Sequence, residues 1–140
     1  MRGRFFVLAA LAGASTPLAA APKVEMPPEI AAHVPADLRS YFLVFKVTPA
    51  VPKPMSSEIF EKHQAYIREQ TEKKVYQLVG PVTDGGRVRG ITILTAASTE
   101  EARAIVGEDP AVRAGILDIE VHPAVFPNLD SLKIGYPPKL

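Results

Sequence analysis

Tyr41-Phe42-Leu43-Val44-Phe45-Lys46-Val47 decides the fold. The stretch is rich in aromatic and β-branched residues and nearly all apolar, which suits a central strand covered on both faces. Downstream, Pro49, Pro52 and Pro54 make a stiff loop. Ser56 or Ser57 then caps a helix whose first turn carries Glu58. From Ile59 the spacing is helical, with Ile59, Phe60, His63, Tyr66 and Ile67 on one stripe. This helix ends near Lys73 or Lys74.

Val75–Val79 reads as a second strand, stopped by Gly80-Pro81. A turn centred on Asp84-Gly85-Gly86 leads into a third strand, Val88–Leu94, so the two are antiparallel neighbours. Gly90 inside that strand marks a bulge or a close approach. Ser98 and Glu101 form a capping box for a helix that buries Ala102, Ile105 and Val106 and stops at Gly107. Asp109-Pro110 opens a further helical turn, ended by Gly115, and Ile116–Val121 is a fourth strand. The order βαββαβ predicts an α+β, ferredoxin-like protomer: a four-stranded antiparallel sheet with two helices on one face. Two helices cover one face only. The apolar first strand therefore calls for a cover on the other face, most simply a second copy of the sheet, and predicts a homodimer.

Upstream of the domain, Arg2 and Arg4 precede an apolar run from Phe5 to Leu11, and Ala19-Ala20-Ala21 closes it. A basic end, a short apolar run and a small-residue exit describe a signal peptide over residues 1–21. The run falls short of the ~20 residues that a membrane-spanning helix needs. The expectation is an exported protein, periplasmic or secreted, with no membrane attachment after cleavage. Residues 22–40, with Pro22, Pro27, Pro28 and Pro35, read as an arm in which Pro-Pro blocks a regular helix. Residues 41–123 form the domain and 124–140 a surface tail. Loss of the leader leaves 119 of the 140 residues; Lys plus Arg falls from 16 to 14 against 15 acidic residues, so net charge turns from +1 to −1. A chain so balanced offers no general attraction for nucleic acid. It has no cysteine, which excludes disulfides, thiol nucleophiles and thiolate metal ligands.

Three imidazoles are available. His33 lies in the arm and His122 precedes Pro123, and both read as surface residues. His63 sits on the apolar stripe of the first helix, where it is either a packed histidine or a base, acid or ligand donor at a pocket edge. A base gains from a carboxylate that fixes its tautomer. Asp84, just beyond the second strand, is the candidate partner, its plain alternative being an Asp-Gly turn residue. Tyr41, Tyr66 and Tyr76 are candidate ligand-binding residues or ordinary packing. No His, Asp or Glu lies three or four positions from His63, so no metal site is expected. The glycines match no nucleotide-binding spacing, so no cofactor is expected either.

Taken together, His63-Gln64-Ala65-Tyr66-Ile67, Val79-Gly80-Pro81-Val82-Thr83-Asp84-Gly85-Gly86, Glu100-Glu101-Ala102 and Asp109-Pro110-Ala111-Val112-Arg113-Ala114-Gly115-Ile116 resemble the YCII-related family. The resemblance covers about Tyr41 to Pro123. It implies a dimeric α/β barrel of paired ferredoxin-like protomers, with a cleft between sheet and helix and His63 with Asp84 as a catalytic pair. The wider superfamily, which includes a lactone isomerase and dehydrochlorinating enzymes, implies cofactor-independent isomerisation or elimination on a small aromatic or lactone-like molecule. Two positions depart from the family pattern. Val47-Thr48-Pro49 stands where many relatives carry an aspartate, and Ala111 stands where an aromatic residue commonly follows Asp-Pro. Three uses of the fold stay open on these residues: an enzyme, a non-catalytic binder of a small ligand, and a structural dimer.

Overall fold

The apolar stretch at 41–47 lies within a ten-residue strand, β1 (Leu38–Val47), hydrogen-bonded on both sides. The computed structural model describes residues 27–33 and 38–131 of the chain. The expected leader lies outside them, as do residues 132–140. A single helical turn, α1 (Pro28–Ala31), occurs within the arm. Proline at the first helical position lacks only an N–H that would go unused there, so Pro27-Pro28 starts a helix instead of blocking one.

The order continues through α2 (Ser57–Glu72), β2 (Tyr76–Pro81), β3 (Val88–Leu94), α3 (Thr99–Gly107), α4 (Pro110–Arg113) and β4 (Asp118–Pro127). Ser56 caps α2, its hydroxyl accepting from Ile59 N–H at 3.2 Å. Ser98 caps α3 by accepting from Glu101 N–H at 3.1 Å, while the Glu101 carboxylate reaches back to Ala97 N–H. The four strands form one antiparallel sheet in the order β2-β3-β1-β4, the ferredoxin-like arrangement.

That sheet is open. Strands β2 and β4 are its two edges, so the α/β barrel expected from the sequence is not formed. Four strands are far short of the roughly eight needed to close around packed side chains. The barrel is what the family resemblance implies, whereas the apolar first strand by itself asks only for a cover on its second face. Much of that need is met by position within one sheet. On the side away from the helices, Tyr41 and Val47 are each only 3 % exposed. Tyr41 lies against Phe126, and Phe45 takes the His122 ring edge-on at 5.8 Å.

On the other side, Phe42 and Val44 of β1 meet Leu94, Tyr76, Ile67, Ala102 and Val106 in the core. Alternation along the strand puts Lys46 in this same inward row. A bulge follows at once, since Lys46 pairs with Gly90 and Val47 with Val88, leaving Arg89 as the extra residue of β3. A Cβ at Gly90 would stand 3.1 Å from the Gly80 carbonyl oxygen, so a side chain there would press on the backbone of β2. The last strand runs six residues past Val121, through His122-Pro123 to Pro127, where a surface tail was expected. At a sheet edge a proline's missing donor is tolerated.

Candidate functional site

His63, Ile67 and Gln70 are the buried residues of α2 and face the sheet. The His63 side chain is 11 % exposed and its ring lies 6.5 Å from that of Phe60, one turn earlier. Its partner comes from the other end of the chain. Asp109 ends the connection after α3 and caps α4, with Oδ1 accepting from Ala111 N–H at 3.0 Å. The same carboxylate accepts from His63 Nδ1–H at 2.7 Å through Oδ1 and 2.9 Å through Oδ2. Lys46 Nζ donates to Oδ2 at 2.8 Å. Three elements thus converge on one carboxylate that is wholly shielded from solvent.

A buried charge is tolerated only when paired and hydrogen-bonded. Asp109 has two cationic or polar side chains and a backbone N–H, and Lys46 has Asp109 and the face of Tyr76 at 5.8 Å. Burial pushes the Asp109 carboxyl upward. The hydrogen bond from His63 and the charge of Lys46 outweigh it and hold the group below its ordinary range. An ionised carboxylate can only accept, so the proton between the two residues sits on Nδ1 and a neutral His63 ring keeps Nε2 as a free acceptor.

Beside this cluster lies a cavity of about 540 Å³, the size of a small-molecule site. His63 and Lys46 line it together with Phe60, Ile67, Leu117 and Arg89. Met55 and Phe60 are among the exposed large apolar side chains, at 37 % and 50 %. Among the described residues no group of three His, Cys, Asp or Glu side chains gathers as metal ligands, and no helix is long and apolar enough to cross a membrane.

The structure puts Asp84 elsewhere. It is exposed in the β2–β3 turn and accepts from Gly86 N–H at 2.8 Å, while His63 Nδ1 is held by Asp109. The tyrosines do not line the cavity. Tyr66 donates to the Ile105 carbonyl at 2.6 Å, and burial together with the charges of Asp109, Glu108 and Glu69 pushes its hydroxyl up to about 12. Tyr76 is buried beside it, its hydroxyl pushed up further by burial and without a hydrogen-bond partner. Tyr41 accepts from Leu129 N–H at 2.9 Å and secures the chain after β4.

Two residues of the cluster went unread as such in the sequence. Asp109 reads from the sequence as a helix cap and as part of the family-like Asp-Pro stretch, and it does fill the capping role. Lys46 was passed over inside an apolar run, although its even spacing from Phe42 and Val44 already put a charge in the core row.

A family model for the YCII-related domain matches residues 40–124, more than half of the chain. No curated protein matches. Among solved structures, 5-chloro-2-hydroxyhydroquinone dehydrochlorinase from Burkholderia phenoliruptrix, in complex with 2,5-dihydroxybenzoquinone, is similar at 19 % identity and a TM-score of 0.42. The match covers 61 % of this chain and 90 % of that one. The chain belongs to the YCII-related domain family.

Proposed function

We propose that this chain is a cofactor-independent isomerase or lyase for a small aromatic or lactone-like molecule, with His63 as the group that moves the proton. One observation carries the reading: a His63–Asp109 pair, 2.7 Å apart, opens onto a cavity of about 540 Å³. Asp109 takes the positioning role first considered for Asp84. It holds the tautomer with Nε2 free and balances the charge that the ring acquires. In an isomerisation, Nε2 takes a proton from a carbon next to a carbonyl and returns it further along the conjugated system. In an elimination, the same proton leaves carbon and the electron pair expels the leaving group as an anion. Neither step consumes an external oxidant or reductant.

The direct test is deuterium exchange. Hydroxyaromatic compounds and unsaturated lactones are incubated with the protein in D₂O and followed by proton NMR. Exchange or conversion that disappears in His63→Asn supports the reading; a panel unchanged by the wild-type protein but bound by it favours a non-catalytic ligand-binding protein. That second reading draws on Lys46, which shares Oδ2 of Asp109 and so divides the carboxylate's support between an ammonium and the imidazole.

Export and a homodimer belong to the same proposal. Arg2, Arg4 and the apolar run support the first. The partly covered Leu43, Phe45 and Ile93, on the sheet face away from the helices, support the second. Mature N-terminal sequencing and sedimentation equilibrium test them in turn.

A further inference from the structure

The cavity beside His63 is electrically one-sided. Its surface is mostly apolar, from Phe60, Ile67, Val79 and Leu117, and it carries the two cations Lys46 and Arg89 with no Asp or Glu among its lining residues. The carboxylate behind it, Asp109, is already taken up by His63, Lys46 and Ala111 N–H. Lys46 is therefore balanced, and Arg89 is not. Among the described residues Arg87 pairs with Glu120 at 2.7 Å and Arg113 with Glu108 at 3.2 Å, whereas Arg89 has no carboxylate partner. Arg89 is also the extra residue of the β3 bulge, a device that re-aims a side chain out of the regular alternation. Gly90 beside it adds no side chain to the wall.

We propose that this cavity selects a small organic monoanion, its apolar rings against Phe60, Ile67 and Leu117 and its carboxylate, phenolate or enolate on Arg89. The inference rests on the reading of the cavity as a ligand site and adds the charge of the ligand. A guanidinium suits a carboxylate because its planar N–H groups can donate in parallel to both oxygens, and it can also donate to the single oxygen of a phenolate or enolate. The excess positive charge works against a metal ion or an ammonium ligand. A dianion would need a second cation, and Lys46 is already committed to Asp109.

The test uses 2-naphthoate and its neutral counterpart 2-naphthamide as probes, titrated calorimetrically into the folded protein at low and moderate salt. The expected result is that the acid binds about tenfold or more tightly than the amide, a preference that weakens with salt. Arg89→Gln, an exposed position whose exchange spares the core, is expected to abolish the preference while leaving amide binding in place. Equal affinity of the two probes, binding of neither, or a preference that survives Arg89→Gln would overturn the proposal. The outcomes separate from those of the exchange experiment. His63-dependent exchange with no acid preference overturns the charge assignment alone, whereas an Arg89-dependent preference without exchange overturns the catalytic reading alone.

Discussion

Asp109 grips His63 through both carboxylate oxygens, at 2.7 and 2.9 Å from Nδ1, across 46 residues of chain. The contact locks α2 to the short helix α4, and Lys46 ties the same point to the central strand. Structure and site therefore depend on one group, which makes its removal informative.

Asp109→Ala is expected to destabilise the fold by about 3–5 kcal/mol, because it strands the buried Lys46 ammonium and removes the α4 cap. Urea unfolding measures it. Asp84→Ala is the comparison. It removes only an exposed turn contact and is expected to cost less than about 1 kcal/mol.

The same carboxylate gives the protein an acid-side pH dependence. A carboxyl whose folded-state value is depressed contributes stability in full above its unfolded value of about 4, and this is lost as pH falls through the folded value. The stability gap between wild type and Asp109→Asn is therefore largest near neutrality and closes as the pH drops below about 4. Unfolding curves at pH 7, 5, 4 and 3 check this; a gap that widened on acidification would contradict the assignment.

Removing a hydroxyl is expected to have opposite effects at two neighbouring tyrosines. The Tyr76 hydroxyl is buried with no partner, so Tyr76→Phe is expected to be neutral or stabilising by up to about 1 kcal/mol. Tyr66→Phe deletes a 2.6 Å bond to the Ile105 carbonyl and is expected to cost about 1 kcal/mol. Thermal unfolding of the two variants side by side gives the comparison.

Gly90→Ala is expected to destabilise by roughly 1–3 kcal/mol, since the added carbon would meet backbone, the Gly80 carbonyl oxygen, at 3.1 Å. It also projects toward the cavity wall and should weaken ligand binding. Gly80→Ala meets nothing within 4 Å and is expected to be mild. Denaturant midpoints of the pair measure the difference.

Much of the fold was legible because local signals and tertiary needs agreed. The third strand, Val88–Leu94, the Ser98 cap and the Asp109-Pro110 turn all stand where spacing and side-chain chemistry put them. Along the last strand, position in the sheet overrides local sequence. A proline tends to end a strand, as Pro81 and Pro127 do here, yet Pro123 lies inside the edge strand β4. The site was half legible. His63 stood out by its place on an apolar stripe, but the carboxylate that meets it depends on how α3 and α4 bring Asp109 back to α2, and no spacing in the chain records that return.

The prolines of β2 and β4 have an effect beyond these strands. An unguarded border of a sheet invites another chain to add itself, and repeated addition is how fibrils grow. Here each border carries residues with no amide hydrogen to offer, Pro81 at the end of β2, and Pro123 within and Pro127 at the end of β4. Among the described residues, these gaps in the row of donors work against another strand adding itself to either side.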